Sequence, residues 1–284
     1  MSLGIVTDST CDLPAATLGR LRVEAVPLRL HIGDEIYLDW RDIDPATLYD
    51  WMLDQGVLAT VYPPEPEDFM HVYRRQLQRY DRVVSIHLSA AFSGTLEQAR
   101  RAARRLGVEG QITFIDSGFA GPGLAEFVLE AAELVRAGAG AVDVFRMVSR
   151  LREEVYGVLS PSNGGWGGEL DWLRSLREKR HLASGHRRLV EMEPGRVRQV
   201  GWARVGKVGA GLAAALRQRF GQQSLHIAIS HAGSDPEALA TLRASMEEGG
   251  LRIAHGRVQM VGPAMAARLG PTSSMVFARP APVR

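Results

Sequence analysis

Ile5-Val6-Thr7-Asp8-Ser9-Thr10-Cys11-Asp12-Leu13-Pro14 is a short β-branched run that stops at small polar residues and then at a proline. Such a run reads as a buried strand handing over to a helix, because β-branched side chains suit the pleated backbone while Asp, Ser and Pro end it. The same grammar recurs at Ile86-His87-Leu88-Ser89 and at Phe114-Ile115-Asp116-Ser117. Around these runs, apolar stretches alternate with helical periodicity. That predicts strands over 4–7, 22–30, 82–88 and 111–115 and helices over 15–21, 45–53, 66–80, 95–106, 124–136 and 142–154. Asp44 before Pro45 fixes one helix start, since the carboxylate accepts from free first-turn amides and proline there gives up no hydrogen bond. The alternation implies an α/β domain on a parallel sheet, taken as residues 1–155.

The texture changes near residue 155. Ser160-Pro161-Ser162-Asn163-Gly164-Gly165-Trp166-Gly167-Gly168 has the composition of a linker or lid. Strands over 187–193 and 196–203 flank Pro194-Gly195 as a hairpin. A helix over 207–220, a strand over 225–230, a helix over 236–248 and strands over 253–261 and 274–279 follow. These elements predict an α+β second domain over 156–284, and no internal repeat is visible.

Composition bounds the function. The chain has 284 residues, 45% of them hydrophobic, enough for a large core without disulfides or metal. Its 34 Lys+Arg against 32 Asp+Glu leave +2, too little to draw a nucleic acid through net charge. Cys11 has no partner for a disulfide, and no Cys/His spacing suits a structural metal. The N-terminus lacks a signal-peptide pattern, and no apolar stretch approaches the roughly 18 to 20 residues that span a bilayer. A cytoplasmic, soluble protein without stable membrane insertion is expected.

In a parallel sheet the three polar strand ends share one edge, where open α/β folds place their ligands. Asp8, Ser9 and Ser117 are therefore candidate pocket residues, although each could serve only as a cap or turn former. Ser89-Ala90-Ala91-Phe92-Ser93-Gly94-Thr95 joins a strand to a helix. Its hydroxyls and the first free amides of that helix face one small volume, where the helix dipole favours a carboxylate or phosphate. Gly94 lacks the Cβ that would hold a ligand off the backbone; on the plainer reading, Ser93 is a helix cap.

These runs, with Val26-Pro27-Leu28, Tyr37-Leu38-Asp39, Asp42-Ile43, Pro66-Glu67-Asp68-Phe69 and Phe92-Ser93-Gly94-Thr95, resemble the DegV fatty-acid-binding family in order and spacing over about residues 4–135. The resemblance implies an α/β first domain, a second domain with a mostly antiparallel sheet, and a buried tunnel holding one long-chain fatty acid between them. It implies a lipid-binding protein with no catalysis of its own and no other cofactor, presenting the acid in some members to a fatty-acid kinase subunit. Family members hold the carboxylate through a threonine and the serine of a Ser-Gly-Thr motif, which is Ser93 here, with Gly94 and Thr95 beside it. Aligning Ala59-Thr60-Val61-Tyr62-Pro63-Pro64-Glu65-Pro66 puts Thr60 on the family threonine with one extra residue before Pro66. The ungapped alignment puts Val61 there and removes the hydroxyl. Arg204 falls on a family arginine near the head group.

A saturated tail gains about 0.8 kcal/mol per buried methylene, so some fourteen supply on the order of 11 kcal/mol before ordering costs. The head loses water on entry, so hydroxyls and amides must replace its hydration. Two departures stand out. The family's Gly-Gly-Arg stretch is absent after Leu170-Asp171-Trp172-Leu173, and Arg268 in Arg268-Leu269-Gly270-Pro271-Thr272 replaces a family histidine. Arginine holds an anion but does not shuttle a proton at neutral pH, so kinase-linked phosphorylation is less well supported than lipid binding.

Other motifs compete less well. Gly201-Trp202-Ala203-Arg204-Val205-Gly206-Lys207-Val208 imitates a phosphate loop, but Val208 replaces its metal-binding hydroxyl. Arg174, Arg177, Lys179, Arg180, Arg187 and Arg188 form a basic run that reads as a solvated face or a partner patch. His87, Ser93 and Asp116 lack the elbow of a hydrolase. A hydrolase using Ser93 and a regulatory protein with a closed pocket remain the alternatives to a lipid carrier.

Overall fold

The structure is a computed structural model that describes residues 2–162, 184–233 and 235–282. Most of the Gly-rich stretch and Arg174, Arg177, Lys179 and Arg180 of the basic run lie outside the described residues. The first part contains β1 (Leu3–Asp8), α1 (Ala15–Leu21), β2 (Val23–Val26), β3 (Arg29–Ile32), β4 (Glu35–Leu38), α2 (Pro45–Asp54) and β5 (Ala59–Tyr62). It continues with α3 (Pro66–Leu77), β6 (Arg82–His87), α4 (Thr95–Leu106), β7 (Ile112–Asp116), α5 (Pro122–Arg136) and α6 (Ala141–Glu154). A parallel sheet in the order β2-β1-β6-β7 forms its centre.

One expected strand divides. The run over 22–30 is β2 and β3 in two different sheets, because Pro27 has no N–H for the ladder and the Leu28 amide turns aside to Ser9 Oγ, 2.9 Å away. Arg29 then opens a small antiparallel sheet, β4-β3-β5, which the sequence pattern does not announce.

The second part comprises β8 (Tyr156–Ser160), β9 (His186–Glu193), β10 (Arg196–Arg204), α7 (Val208–Phe220), β11 (Ser224–His231), α8 (Pro236–Glu248), β12 (Arg252–Met260), α9 (Pro263–Leu269) and β13 (Ser274–Pro280). Its six strands run β10-β9-β8-β13-β11-β12, all antiparallel except β11 with β12. The sequence reading missed β8 and α9. Both are short and wholly or largely buried, and such segments carry no alternation for periodicity to detect.

The largest apolar cluster crosses the seam between the two sheets. Ile5, Ile86 and Ile115 from the parallel sheet join Phe119, Phe127, Met265, Met275 and Phe277. Phe119 stacks on Phe127 at 5.7 Å between ring centroids and meets Phe277 edge-on at 6.1 Å. Such aromatic pairs contribute beyond their buried area. A Cβ on Gly157 would lie 2.3 Å from the Phe277 ring, so only glycine admits that ring so close to β8. Charge reinforces the seam at α5. Glu126 accepts from Arg257 at 2.8 Å and Arg279 at 3.2 Å, and Glu130 pairs with Arg279, tying α5 to β12 and β13.

Candidate functional site

The carboxyl ends of β1, β6 and β7 are laced together by backbone hydrogen bonds. Ser89 N donates to Phe119 O at 2.8 Å, Ser117 N to His87 O at 3.0 Å and Gly121 N to Thr10 O at 2.8 Å. The polar side chains there are largely consumed by the same lacing. Asp8 Oδ1 accepts from Thr10 N at 3.2 Å and Thr10 Oγ1 at 2.5 Å, while Oδ2 accepts from Leu88 N at 2.9 Å and lies 3.0 Å from His87 Nδ1. Ser117 Oγ exchanges two 3.1 Å hydrogen bonds with the Phe119 backbone, and Ser9 Oγ accepts from Leu28. Asp8 and Ser117 are thus held as turn formers rather than offered to a ligand.

His87 is sealed in the core. Its Nε2 lies 2.6 Å from Ser85 Oγ, which lies 2.8 Å from the Tyr73 hydroxyl. This Asp8–His87–Ser85–Tyr73 chain contains neither Ser93 nor Asp116, whose carboxylate instead accepts from the Ala90 and Gly118 amides. The arrangement supplies no exposed nucleophile.

Ser93 differs from its neighbours. It is half-buried, its Oγ lies 2.9 Å from Thr95 Oγ1, and it accepts from Thr95 N at 3.3 Å. Gly94 occupies the cap position of α4 with no side-chain cap, and Thr95, fully buried, opens the helix. A Cβ on Gly94 would meet only Pro63, at 3.9 Å, leaving the backbone accessible. A hydroxyl pair thus stands beside the first-turn amides of a twelve-residue helix, a place that favours an anion.

The hairpin between β9 and β10 roofs these loops. Gly195 N donates to Gly118 O at 2.8 Å, and the Gly195 position lies 3.7 Å from Ala91 Cβ and Ser89 Oγ. Gly118 has φ +79, and a Cβ there would sit 2.9 Å from the Pro194 backbone.

The head-group candidates Thr60 and Arg204 and the pocket candidate Arg268 are all exposed. On β5, Ala59 and Val61 pack inward, whereas Thr60 is exposed beside Tyr62, so the period-two alternation presents Val61 to the interior. Arg204 ends β10, eight residues beyond Arg196 and at the end of the strand away from the hairpin tip. Arg268 is exposed on α9, with no hydrogen bond or ion pair among the described residues.

A buried acidic pair joins the two parts of the chain, and sequence reading used Asp39 only as a mark of resemblance. Asp39 Oδ1 accepts from Ala264 N at 3.0 Å, and Asp12 Oδ1 accepts from Trp40 Nε1 at 3.4 Å against Gly262. The second oxygen of each has no partner among the described residues. Burial pushes Asp39 up to about 7, and burial together with the Asp39 charge pushes Asp12 well above the usual carboxylate range. Burial likewise raises the Cys11 thiol, which keeps it protonated and unreactive.

Two clefts flank this centre. One of about 580 Å³ is lined by Ser9, Cys11, Asp39 and Trp40, and one of about 730 Å³ lies where α2 meets the second sheet. Ser93, Gly94 and Thr95 line neither. The seam itself is closely packed, with Phe119, Met265, Met275 and Phe277 all at most 2% exposed. Among the described residues, no three His, Cys, Asp or Glu side chains gather as a metal site, and no helix is long and apolar enough to cross a membrane.

The family model described as "Uncharacterised protein, DegV family" matches residues 2–164, more than half of the chain. The chain belongs to the DegV family. It is 30% identical over 277 residues to a DegV domain-containing protein of Streptomyces coelicolor, covering 95% of both chains. It is 35% identical over 151 residues to a DegV domain-containing protein of Deinococcus radiodurans, a match that spans about half of that relative, 53% of its length. The whole fold superposes on a DegV family protein from Thermus thermophilus, described as fatty-acid binding, with a TM-score of 0.84 and 30% identity over 99% of this chain and 100% of that one. The fold expected from sequence, a parallel-sheet first part followed by a mostly antiparallel sheet, is the DegV fold.

Proposed function

We propose that this DegV protein is a cytoplasmic carrier of one long-chain fatty acid. The acid lies between units 1–155 and 156–284, its carboxylate at Ser93, Gly94 and Thr95 and its tail in the apolar seam. The observation that carries this reading is the half-buried Ser93 hydroxyl beside the uncapped start of α4. The likeness over full length to the Thermus protein supports it. The tail supplies the affinity, on the order of 11 kcal/mol gross for fourteen methylenes, and the hydroxyl pair and helix amides replace the water lost by the head. Met265 and Met275 line the seam; unbranched thioethers repack readily around a guest.

Presentation to a fatty-acid kinase is a further step of the same proposal. It must proceed without the family histidine, with Thr60, Arg204 and Arg268 outside the head-group set described above. Organic extraction of the purified protein followed by mass spectrometry tests the reading: one fatty acid per chain is expected, with Ser93→Ala retaining less. Unchanged retention in that variant would remove Ser93 from the head group.

The packed seam favours one second reading, a regulatory protein whose pocket has closed. It predicts that no fatty acid is extracted and none binds when added.

A further inference from the structure

We propose that the cleft between α2 and the second sheet binds a small organic monoanion, a carboxylate on an apolar body, through Arg187. This site is separate from the one at Ser93. The cleft measures about 730 Å³, ample for such a molecule, and its walls come from both parts of the chain. Tyr49 and Leu53 of α2 face Val208 of α7 and Leu242 of α8, giving it an apolar lining.

Arg187 is the unusual group. It is partly buried on β9, where Nη1 donates to Thr272 O at 2.6 Å and Nη2 to Thr272 Oγ1 at 2.7 Å. These two bonds fix the guanidinium plane but bring no negative charge. Arg257 and Arg279, which are more deeply buried, each have Glu126 against them. Among the described residues Arg187 has no carboxylate partner, and burial alone lowers its pKa. A cation withdrawn from water without a counter-charge is costly, so an anion entering from solvent supplies what the described residues do not. The remaining guanidinium N–H groups match a carboxylate edge.

His231 stands beside it, its Nδ1 3.0 Å from Ser274 Oγ. Burial and the Arg187 charge lower its pKa, so near neutrality it is an uncharged polar neighbour. Gly206 leaves the main chain bare on the wall just before α7, whereas Gly209 lets Ser245 of α8 pack against α7, where a Cβ would lie 2.4 Å from its Oγ. Asp50, Asp235 and Glu237 also line the cleft, all exposed at its rim, and Asp235 caps α8 by accepting from Glu237 N at 2.9 Å. Their charges repel a polyphosphate more strongly than they repel a single negative charge.

The test is calorimetric titration of the full chain with benzoate at constant ionic strength, with inorganic phosphate and ATP as comparisons. Saturable benzoate binding is expected, with neither comparison binding as tightly. Arg187→Gln removes the charge and keeps a polar, uncharged side chain on the same stem, and is expected to weaken benzoate by about tenfold or more, the loss of one charged donor group. Thr241→Glu, on an exposed wall position of α8, adds a negative charge without touching Arg187 and is expected to weaken it too. Circular dichroism checks that both variants are folded. Absence of saturable benzoate binding, undiminished binding in Arg187→Gln, or tighter binding of phosphate than benzoate would overturn the proposal. The extractable fatty acid is measured in parallel and is expected to be unchanged in Arg187→Gln, so this inference and the lipid reading succeed or fail separately.

Discussion

Replacing Gly118 by Ala drives a methyl group into the hairpin that roofs the strand ends, and Gly195→Ala supplies its control. Both glycines have positive φ, +79 and +69, so either alanine costs about 1 to 2 kcal/mol of backbone strain. Part of that, about 0.4 to 1 kcal/mol, is offset because alanine restricts the unfolded chain. For Gly195 nothing more follows, since the new Cβ would lie an ordinary 3.7 Å from Ala91. For Gly118 the new Cβ would lie 2.9 Å from the Pro194 Cα, and main chain cannot turn aside as a side chain can. The hairpin must lift, losing the hydrogen bond from Gly195 N to Gly118 O, worth about 0.5 to 1.5 kcal/mol, and loosening Val197 from the core. Urea denaturation is expected to give a loss of about 1 kcal/mol for Gly195→Ala and about 2 to 3 kcal/mol for Gly118→Ala, at similar m-values. Losses equal within about 0.5 kcal/mol would show that the roof is not seated on Gly118 and would refute the reasoning.

Three further outcomes follow from the buried polar groups. Asp39 has a folded pKa raised to about 7, so the native state holds its proton more tightly than the unfolded chain. Its contribution is greatest below the unfolded value near 4 and is lost at up to about 1.4 kcal/mol per pH unit as pH rises to about 7. Asp39→Asn is expected to flatten that part of a stability-versus-pH curve, and an unaltered slope would assign the dependence to other groups such as Asp12. Tyr49→Phe removes the hydroxyl that donates to Val261 O and is expected to cost about 1 to 3 kcal/mol in thermal or urea unfolding; a neutral result would mean water satisfies that carbonyl. His87→Ala removes a fully buried ring and its hydrogen bonds to Asp8 and Ser85 and is expected to cost about 3 to 5 kcal/mol in urea unfolding, with a loss below about 1 kcal/mol showing that the core closes around the gap.

The parallel sheet was readable because three of its four strands carry the same β-branched run ending in small polar residues, and α2 because Asp44-Pro45 marks its start. The run from Val23 to Leu30 misled because propensity continues through Pro27 while the hydrogen-bond ladder does not. The strand-to-helix junction at Ser93-Gly94-Thr95, with its hydroxyls at a helix start, was legible from the sequence. Thr60 was not, because a one-residue choice of register on a four-residue strand exchanges the inward and outward faces. Arg204 was misplaced for a different reason. Sequence order put it in the hairpin unit, but only the length of β10 reveals that it sits at the end away from the roof. The buried Asp12 and Asp39 pair was invisible as a pair, since its members lie 27 residues apart in sequence and the Gly262–Ala264 segment that packs on them comes from the far end of the chain.

The ion pairs on α5 have a mechanical consequence for how a guest would enter. Glu126 and Glu130 clamp α5 to β12 and β13 through two arginines, whereas the Pro194-Gly195 tip rests on Gly118 by a single backbone hydrogen bond. The two margins of the seam are therefore unequally fastened. Opening of this seam would break one backbone hydrogen bond at the hairpin before it disturbed the ion pairs on α5.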